Sequence, residues 1–178
     1  MQCLKTSRLI LRRWHEKDRK PFFQINQDHK VLEFLPGPMS KEQIKDFMRC
    51  QNQQLENRYY MLWAAELQDT GDLIGFVGLN YFDKPAHFSP AVEIGWRLGS
   101  QYWGFGYATE GALASLDYGF NQLGINEIVA FTVPDNLRSR KVMEKIGMVQ
   151  DIDGSFTHPK LPPDHRLSKH VLYRIQKS

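Results

Sequence analysis

Cysteine is scarce in this chain: Cys3 and Cys50 are the two present, in no CxxC pair and at no metal-ligand spacing from the histidines. That pattern leaves no basis for a disulfide framework or a bound metal, and two reduced thiols fit a cytoplasmic protein. Long apolar runs are missing as well. No stretch approaches the roughly 20 uninterrupted apolar residues of a membrane helix, so no membrane partner is expected. The opening MQCLKTSRLILRRW lacks the longer apolar region and small-residue cleavage site of a signal peptide. Charge of one sign does not dominate either. A net charge of +3 suits a polyanionic ligand, yet Lys and Arg are spread along the chain and form no basic arm for nucleic acid. No internal repeat, low-complexity tract or linker occurs. A length of 178 residues allows one well-buried core and is short for two, so one domain over residues 1–178 is expected.

What is present is a regular alternation of strand and helix signals. Residues 8–14 read as a strand, and residues 18–35 carry helical and turn character up to Pro36-Gly37-Pro38. Ser40, with Gln43 at capping-box spacing, predicts a helix running to about Asn57. Residues 59–67 and 73–82 read as strands, joined by the turn Asp69-Thr70-Gly71-Asp72 into a hairpin. In residues 91–98, Val92, Ile94, Trp96 and Leu98 alternate with Glu93, Gly95 and Arg97, which is strand periodicity. A helix is expected over 104–120, where Ala108, Ala112, Leu116 and Phe120 recur with Gly111 and Ser115 beside them. A strand over 127–133 follows, then a helix over 136–146 that Gly147 can end in the left-handed conformation. Strands over 148–156 and 170–175 close the chain, joined by the loop THPKLPPDHRLSK. This order gives an α/β sandwich on a mixed, mostly antiparallel sheet, with a parallel pair where residues 91–133 pass from strand through helix to strand.

The chemistry-bearing segment is Gln101-Tyr102-Trp103-Gly104-Phe105-Gly106, placed between a strand and a helix. Two glycines permit a tight turn and leave backbone N–H groups open. The helix start adds further unpaired N–H groups and the positive end of its dipole, which together suit a pyrophosphate. A plain strand-to-helix turn would use the same glycines. A phosphate-binding P-loop needs Gly-Lys-Ser/Thr, which is absent. The dinucleotide fingerprint needs a third glycine where Thr109 stands, and an early strand before it.

The spacing Gln101-x-x-Gly104-x-Gly106 resembles the acetyl-CoA signature of the GNAT superfamily. The longer run EIGWRLGSQYWGFGYATEG is similar to its RimJ/RimL-like branch, which includes N-terminal acetyltransferases of ribosomal proteins. A second block, from Asn136 and Ser139 through Glu144-Lys145-Ile146-Gly147-Met148, agrees, and the resemblance spans nearly the whole chain. It implies a single-domain GNAT-like fold in which the strand of residues 91–98 splays from the strand of residues 127–133. It also implies acetyl transfer from acetyl-CoA, without metal, to a primary amine, by a monomer or homodimer. Carried over, Trp96, Arg97 and Leu98 would hold the pantetheine arm. Gln101, Tyr102, Trp103, Gly104, Phe105, Gly106, Tyr107 and Ala108 would cradle the pyrophosphate, with Arg138 and Lys141 as neighbouring cations and Asn136 capping its helix and bonding the arm. Amides near Ile94 and Gly95 would polarise the thioester carbonyl.

Glu93 is the candidate general base, at the place where the splay should begin; holding a neighbouring strand or orienting substrate is its other reading. Many relatives use a tyrosine to protonate the leaving thiolate. Met143 stands there and has no proton to give. Ser139 is the replacement candidate, because Ser139, Val142, Met143 and Ile146 share one helix face; a small packing residue is its alternative. Trp14, Phe34 and His158 are expected to border the acceptor. Lys160, His165, Arg166 and Lys169 make the last loop basic, which leans toward a peptide or an anionic amine. A peptide N-terminus, a small amine such as an antibiotic, polyamine or amino acid, and a catalytically silent acyl-CoA-binding role all remain open at this point.

Overall fold

The computed structural model describes residues 3–177; Met1 and Gln2, part of the N-terminal run read above, and Ser178 lie outside them. Its frame is one eight-stranded sheet in the order β1-β2-β3-β4-β5-β6-β8-β7. The strands are β1 (Leu4–Lys5), β2 (Leu9–Arg12), β3 (Leu62–Leu67), β4 (Leu73–Phe82), β5 (Ala91–Leu98), β6 (Glu127–Thr132), β7 (Val149–Thr157) and β8 (Lys169–Gln176). The helices are α1 (Arg19–Ile25), α2 (His29–Leu32), α3 (Lys41–Arg58), α4 (Tyr107–Asp117) and α5 (Leu137–Lys145). The α/β architecture and the mixed, mostly antiparallel sheet expected from the sequence are what the chain adopts. Every neighbouring pair is antiparallel except β5 with β6. Among the described residues, no helix is long and apolar enough to cross a membrane.

Local chemistry explains the element ends. Ser40 Oγ accepts from the Gln43 N–H at 3.1 Å while Gln43 Oε1 accepts from the Ser40 N–H at 2.8 Å, so two free donors at the start of α3 are satisfied. The helix expected from residue 104 begins at Tyr107 instead. Gly106, at φ +84°, holds the chain out of helical geometry until that point. Past Asp117 the helix widens into a π turn over Tyr118–Gln122, beyond the residue-120 limit read from periodicity. Strand β1 has only two residues, too few to show a periodicity in the sequence.

The two faces of the sheet are used differently. On one, α4 lies close: a Cβ at Gly111 would sit 3.2 Å from the Val77 side chain, so glycine sets the helix-to-sheet spacing. On the other, Phe76 packs with Phe22 and Phe47, ring centroids 6.0 and 5.5 Å away, beneath α1 and α3. The antiparallel register places Phe76 opposite Arg97, Gly78 opposite Gly95 and Asn80 opposite Glu93. Alternation along a strand then puts Glu93, Gly95 and Arg97 on the Phe76 face and Ile94 and Trp96 on the α4 face.

A buried ion cluster ties the first turn to the sheet. Arg12 donates to both oxygens of Asp18 at 2.7 and 2.8 Å and to Glu66 Oε2 at 2.6 Å, with all three side chains largely covered. Removing the cation leaves the buried Asp18 without an ionic partner and Glu66 with Lys17 alone, at 3.3 Å. Arg12→Met should therefore cost about 3–5 kcal/mol in urea unfolding at neutral pH. A loss well under 1 kcal/mol would mean that water reaches the cluster.

Candidate functional site

Strands β5 and β6 meet at one residue pair, Glu93 with Val129. Beyond it β5 runs on to Leu98 with no pairing on its β6 side, while β4 pairs with it along its full length. Unpaired backbone groups on that edge can serve an amide-bearing ligand. Past β5, a short 3₁₀ turn over Ser100–Tyr102 leads to Gly104 and Gly106, at φ +85° and +84°. Both values suit glycine and strain any other residue. Gly106 precedes α4 with no side chain capping it, and the Glu110 N–H is the first to find a helical carbonyl, Gly106 O at 3.0 Å. The N–H groups before it are left for an anion.

The β5 edge, the glycine turn and α5 surround a cavity of about 880 Å³. Glu93 opens onto it through a small part of its surface and is packed round by the chain elsewhere. That burial pushes its carboxyl up to about 7, against the opposing influence of the Asn80 amide and of Lys160. Asn80 Nδ2 donates to Glu93 Oε2 at 3.3 Å. Across the cavity, Asn136 Oδ1 accepts from the Ser139 N–H at 3.3 Å and its amide donates to Thr132 Oγ1 at 3.0 Å, which fixes the start of α5. The Ser139 hydroxyl faces the cavity and bonds no protein group among the described residues. A carboxyl poised near neutrality, a free hydroxyl and a row of open amides can together accept a proton, return one and hold an anionic chain.

The cavity gathers most of the sequence candidates. Glu93, Trp96, Arg97, Leu98, Tyr102, Trp103, Gly104, Gly106, Tyr107, Ala108, Asn136, Ser139, Phe34 and His158 all line it. Three candidates do not. Trp14 is core: it is 3% exposed, its Nε1 donates to Leu62 O at 2.8 Å and its ring packs 4.7 Å from Phe22. Its place at the acceptor's border is thereby corrected. Gln101 lines a separate pocket together with Lys17 and Asp72, and Phe105 lies on the surface stacked on Tyr107. The Leu98 side chain belongs to the core, and its carbonyl accepts from Trp103 Nε1 at 2.9 Å. His158 stands 5.0 Å from His170, and burial, with that ring and Lys160, lowers it to about 4.

Residues that sequence reading missed hold the glycine turn from behind. Arg8 donates from Nε to Glu110 Oε2 at 2.7 Å and from Nη1 to Phe105 O at 2.9 Å, and lies 4.6 Å over the Tyr107 ring. Glu110 Oε1 also accepts from Thr6, Ser7 and the Arg8 N–H, which fastens α4 to the turn between β1 and β2. No local pattern announces a contact across about a hundred residues of sequence.

Comparisons with known proteins agree with this fold. A family model described as an acetyltransferase (GNAT) domain matches residues 8–149. The uncharacterized N-acetyltransferase YnaD of Bacillus subtilis (strain 168) is 32% identical over 147 residues, 82% of this chain and 81% of the relative. The crystal structure of a GNAT-family acetyltransferase from Bacillus anthracis is 27% identical, with 99% of each chain covered and a TM-score of 0.80. RimL, a ribosomal L7/L12 α-N-protein acetyltransferase solved in complex with coenzyme A, is 17% identical and shares the fold, with a TM-score of 0.79 over 98% of both chains.

The raised Glu93 carboxyl has a consequence for stability. In the unfolded chain it titrates near 4.5, and in the folded one near 7. The folded state therefore binds the proton more tightly, and stability falls as pH rises between those values. Glu93→Gln should be more stable than wild type above pH 7, by on the order of 1–3 kcal/mol, with the gap closing below about pH 4.5. Melting curves from pH 4 to 8.5 measure it; a gap independent of pH would place the carboxyl in water.

Proposed function

The chain belongs to the GNAT acetyltransferase family, and from that premise we propose that it transfers the acetyl group of acetyl-CoA to a primary amine by direct attack. The observation that carries this reading is the junction at Glu93. There a strand edge loses its partner, a carboxyl is held near neutrality, and the open edge runs into an uncapped helix start.

Acetyl-CoA supplies the acyl group as a thioester. The N–H groups of the Gly104–Ala108 turn would hold its pyrophosphate, with Lys141 and Arg138 near, and the free edge of β5 its pantetheine amides. Amides at Ile94 and Gly95 would draw electron density from the carbonyl. Glu93 would take the proton of the incoming amine, directly or through one water. A carboxyl titrating near 7 suits that work better than one near 4. Ser139, whose hydroxyl bonds no protein group among the described residues, would pass a proton to the departing sulfur while taking one from water in the cavity, a task for which Met143 has no group. The acceptor we read first is the α-amine of a peptide, because the cavity is about 880 Å³ and the basic loop residue Lys160 lines it beside His158. A small amine is the other acceptor class.

Release of free CoA from acetyl-CoA over an amine panel tests the activity, and Glu93→Gln tests the chemistry. The variant should lose roughly 10²–10⁴ in rate at neutral pH and regain part of it as rising pH deprotonates the amine unaided. Acetyl-CoA affinity should hardly change. A loss equal at every pH would make Glu93 a positioning residue, and no CoA release with any amine would leave an acyl-CoA-binding protein without catalysis.

A further inference from the structure

Among the described residues, no carboxylate meets the charge of Arg97. Its side chain leaves β5 on the Phe76 face, with its guanidinium 5.6 Å from that ring. Nη1 donates to Asn26 Oδ1 at 2.5 Å and touches Met39 Sδ at 3.5 Å. Asn26 is fully buried, and its own amide is committed to Phe22 O at 2.7 Å, so it holds the guanidinium in place without neutralising it. Nε and Nη2 bond nothing among the described residues, although Arg97 lines the cavity that contains Glu93. The contrast with Arg12, which meets two carboxylates, is direct. Desolvation lowers Arg97 to about 10, with no acid to oppose it, and it remains a cation at neutral pH.

A covered cation without a counter-charge is unfavourable unless something supplies the anion. The helix start suited to phosphates belongs to α4, which packs on the opposite face of the sheet, against Val77. The Arg97 side chain shares its face with Glu93 and Gly95, on the side of the incoming amine. We propose that Arg97 binds a carboxylate on the acceptor, so that the substrate is a primary amine carrying an acid group at a distance from the amine.

Spacing narrows the class. Glu93 and Arg97 are four residues apart on one strand face, about 13 Å between Cα atoms. Side chains rooted that far apart favour an acceptor whose acid is set away from its amine over an α-amino acid, in which both share one carbon. A peptide with Asp or Glu among its first three residues has that separation, and so does an ω-amino acid such as 6-aminohexanoate. The inference rests on the acetyltransferase reading and gives its acceptor a charge.

The test compares matched acid and amide acceptors at saturating acetyl-CoA: peptides beginning Ser-Glu and Ser-Gln, and 6-aminohexanoate with its amide. In wild type the acid of at least one pair should exceed its amide by about 10-fold or more in kcat/KM, mostly through KM. The pair that shows the preference identifies the source of the carboxylate. Within Arg97→Met the ratio should fall to about one, whatever the absolute rate, and Arg97→Lys should keep part of it. Arg97→Gln carries the same comparison if the Met variant does not fold. Equal rates for acid and amide in wild type overturn the proposal, as does a preference that survives in Arg97→Met. Loss of acetyl-CoA affinity with the ratio intact also overturns it, because Arg97 would then serve the cofactor. Turnover of amines without acid preference sinks this inference alone. No turnover of any amine sinks the acetyltransferase reading; the pairs are then scored by melting shifts in the presence of CoA. A larger shift with the acid, lost in Arg97→Met, still supports the carboxylate site, and equal shifts overturn it.

Discussion

The parallel ladder between β5 and β6 ends after the pairing of Glu93 with Val129, and the rest of β5 faces a gap. Nothing in the two strands themselves prevents them from zipping further. Their outer edges are fully used: β4 pairs with β5 over eight positions and β6 with β8 over six, so the gap lies between two well-paired halves of the sheet. Backbone groups exposed in such a gap need partners from water or from a ligand. The site is therefore a property of the sheet before it is a property of any side chain.

Side chains then divide the labour across the two faces. On the α4 face, Gly111 lets the helix lie close, and Arg8 and Glu110 fasten its start to the first turn, so the open N–H groups are held rigidly where an anion would arrive. On the Phe76 face, Glu93 and Arg97 are both largely covered and neither forms an ion pair among the described residues, with opposite consequences. Burial raises the acid into the neutral range, where it can exchange a proton. The same burial leaves the guanidinium charged, because its ordinary value is so far from neutrality. One environment thus provides a titrating group and a fixed cation on the same strand, which suits the proposed acceptor.

Much of this could be read from the residues. The Ser40 and Gln43 pair, the Asp69–Asp72 turn and the alternation along residues 91–98 are local signals, and the helix, hairpin and strand that they predict are present. The glycine pair at 104 and 106 is equally local, since positive φ demands it. What escaped depends on contacts distant in sequence. Trp14 looked available as an aromatic near a strand end, and only the packing of α1 and α3 shows that it is core. Gln101 fits the signature by spacing, yet it lines a different pocket from the glycine turn. Arg97 was read for its backbone; that its guanidinium meets Asn26 and no carboxylate is invisible until α1 is laid against β4.

The β5 edge beyond Glu93 is open, and the proposed mechanism has the cofactor arm close it. Amide hydrogen exchange over residues 94–98, with and without acetyl-CoA, addresses this most directly. The account predicts that amides on the β6 side of this segment exchange quickly in the free protein and become protected when acetyl-CoA binds, while those paired to β4 are slow throughout. Uniform protection of the segment without ligand, or no change on adding acetyl-CoA, would contradict it.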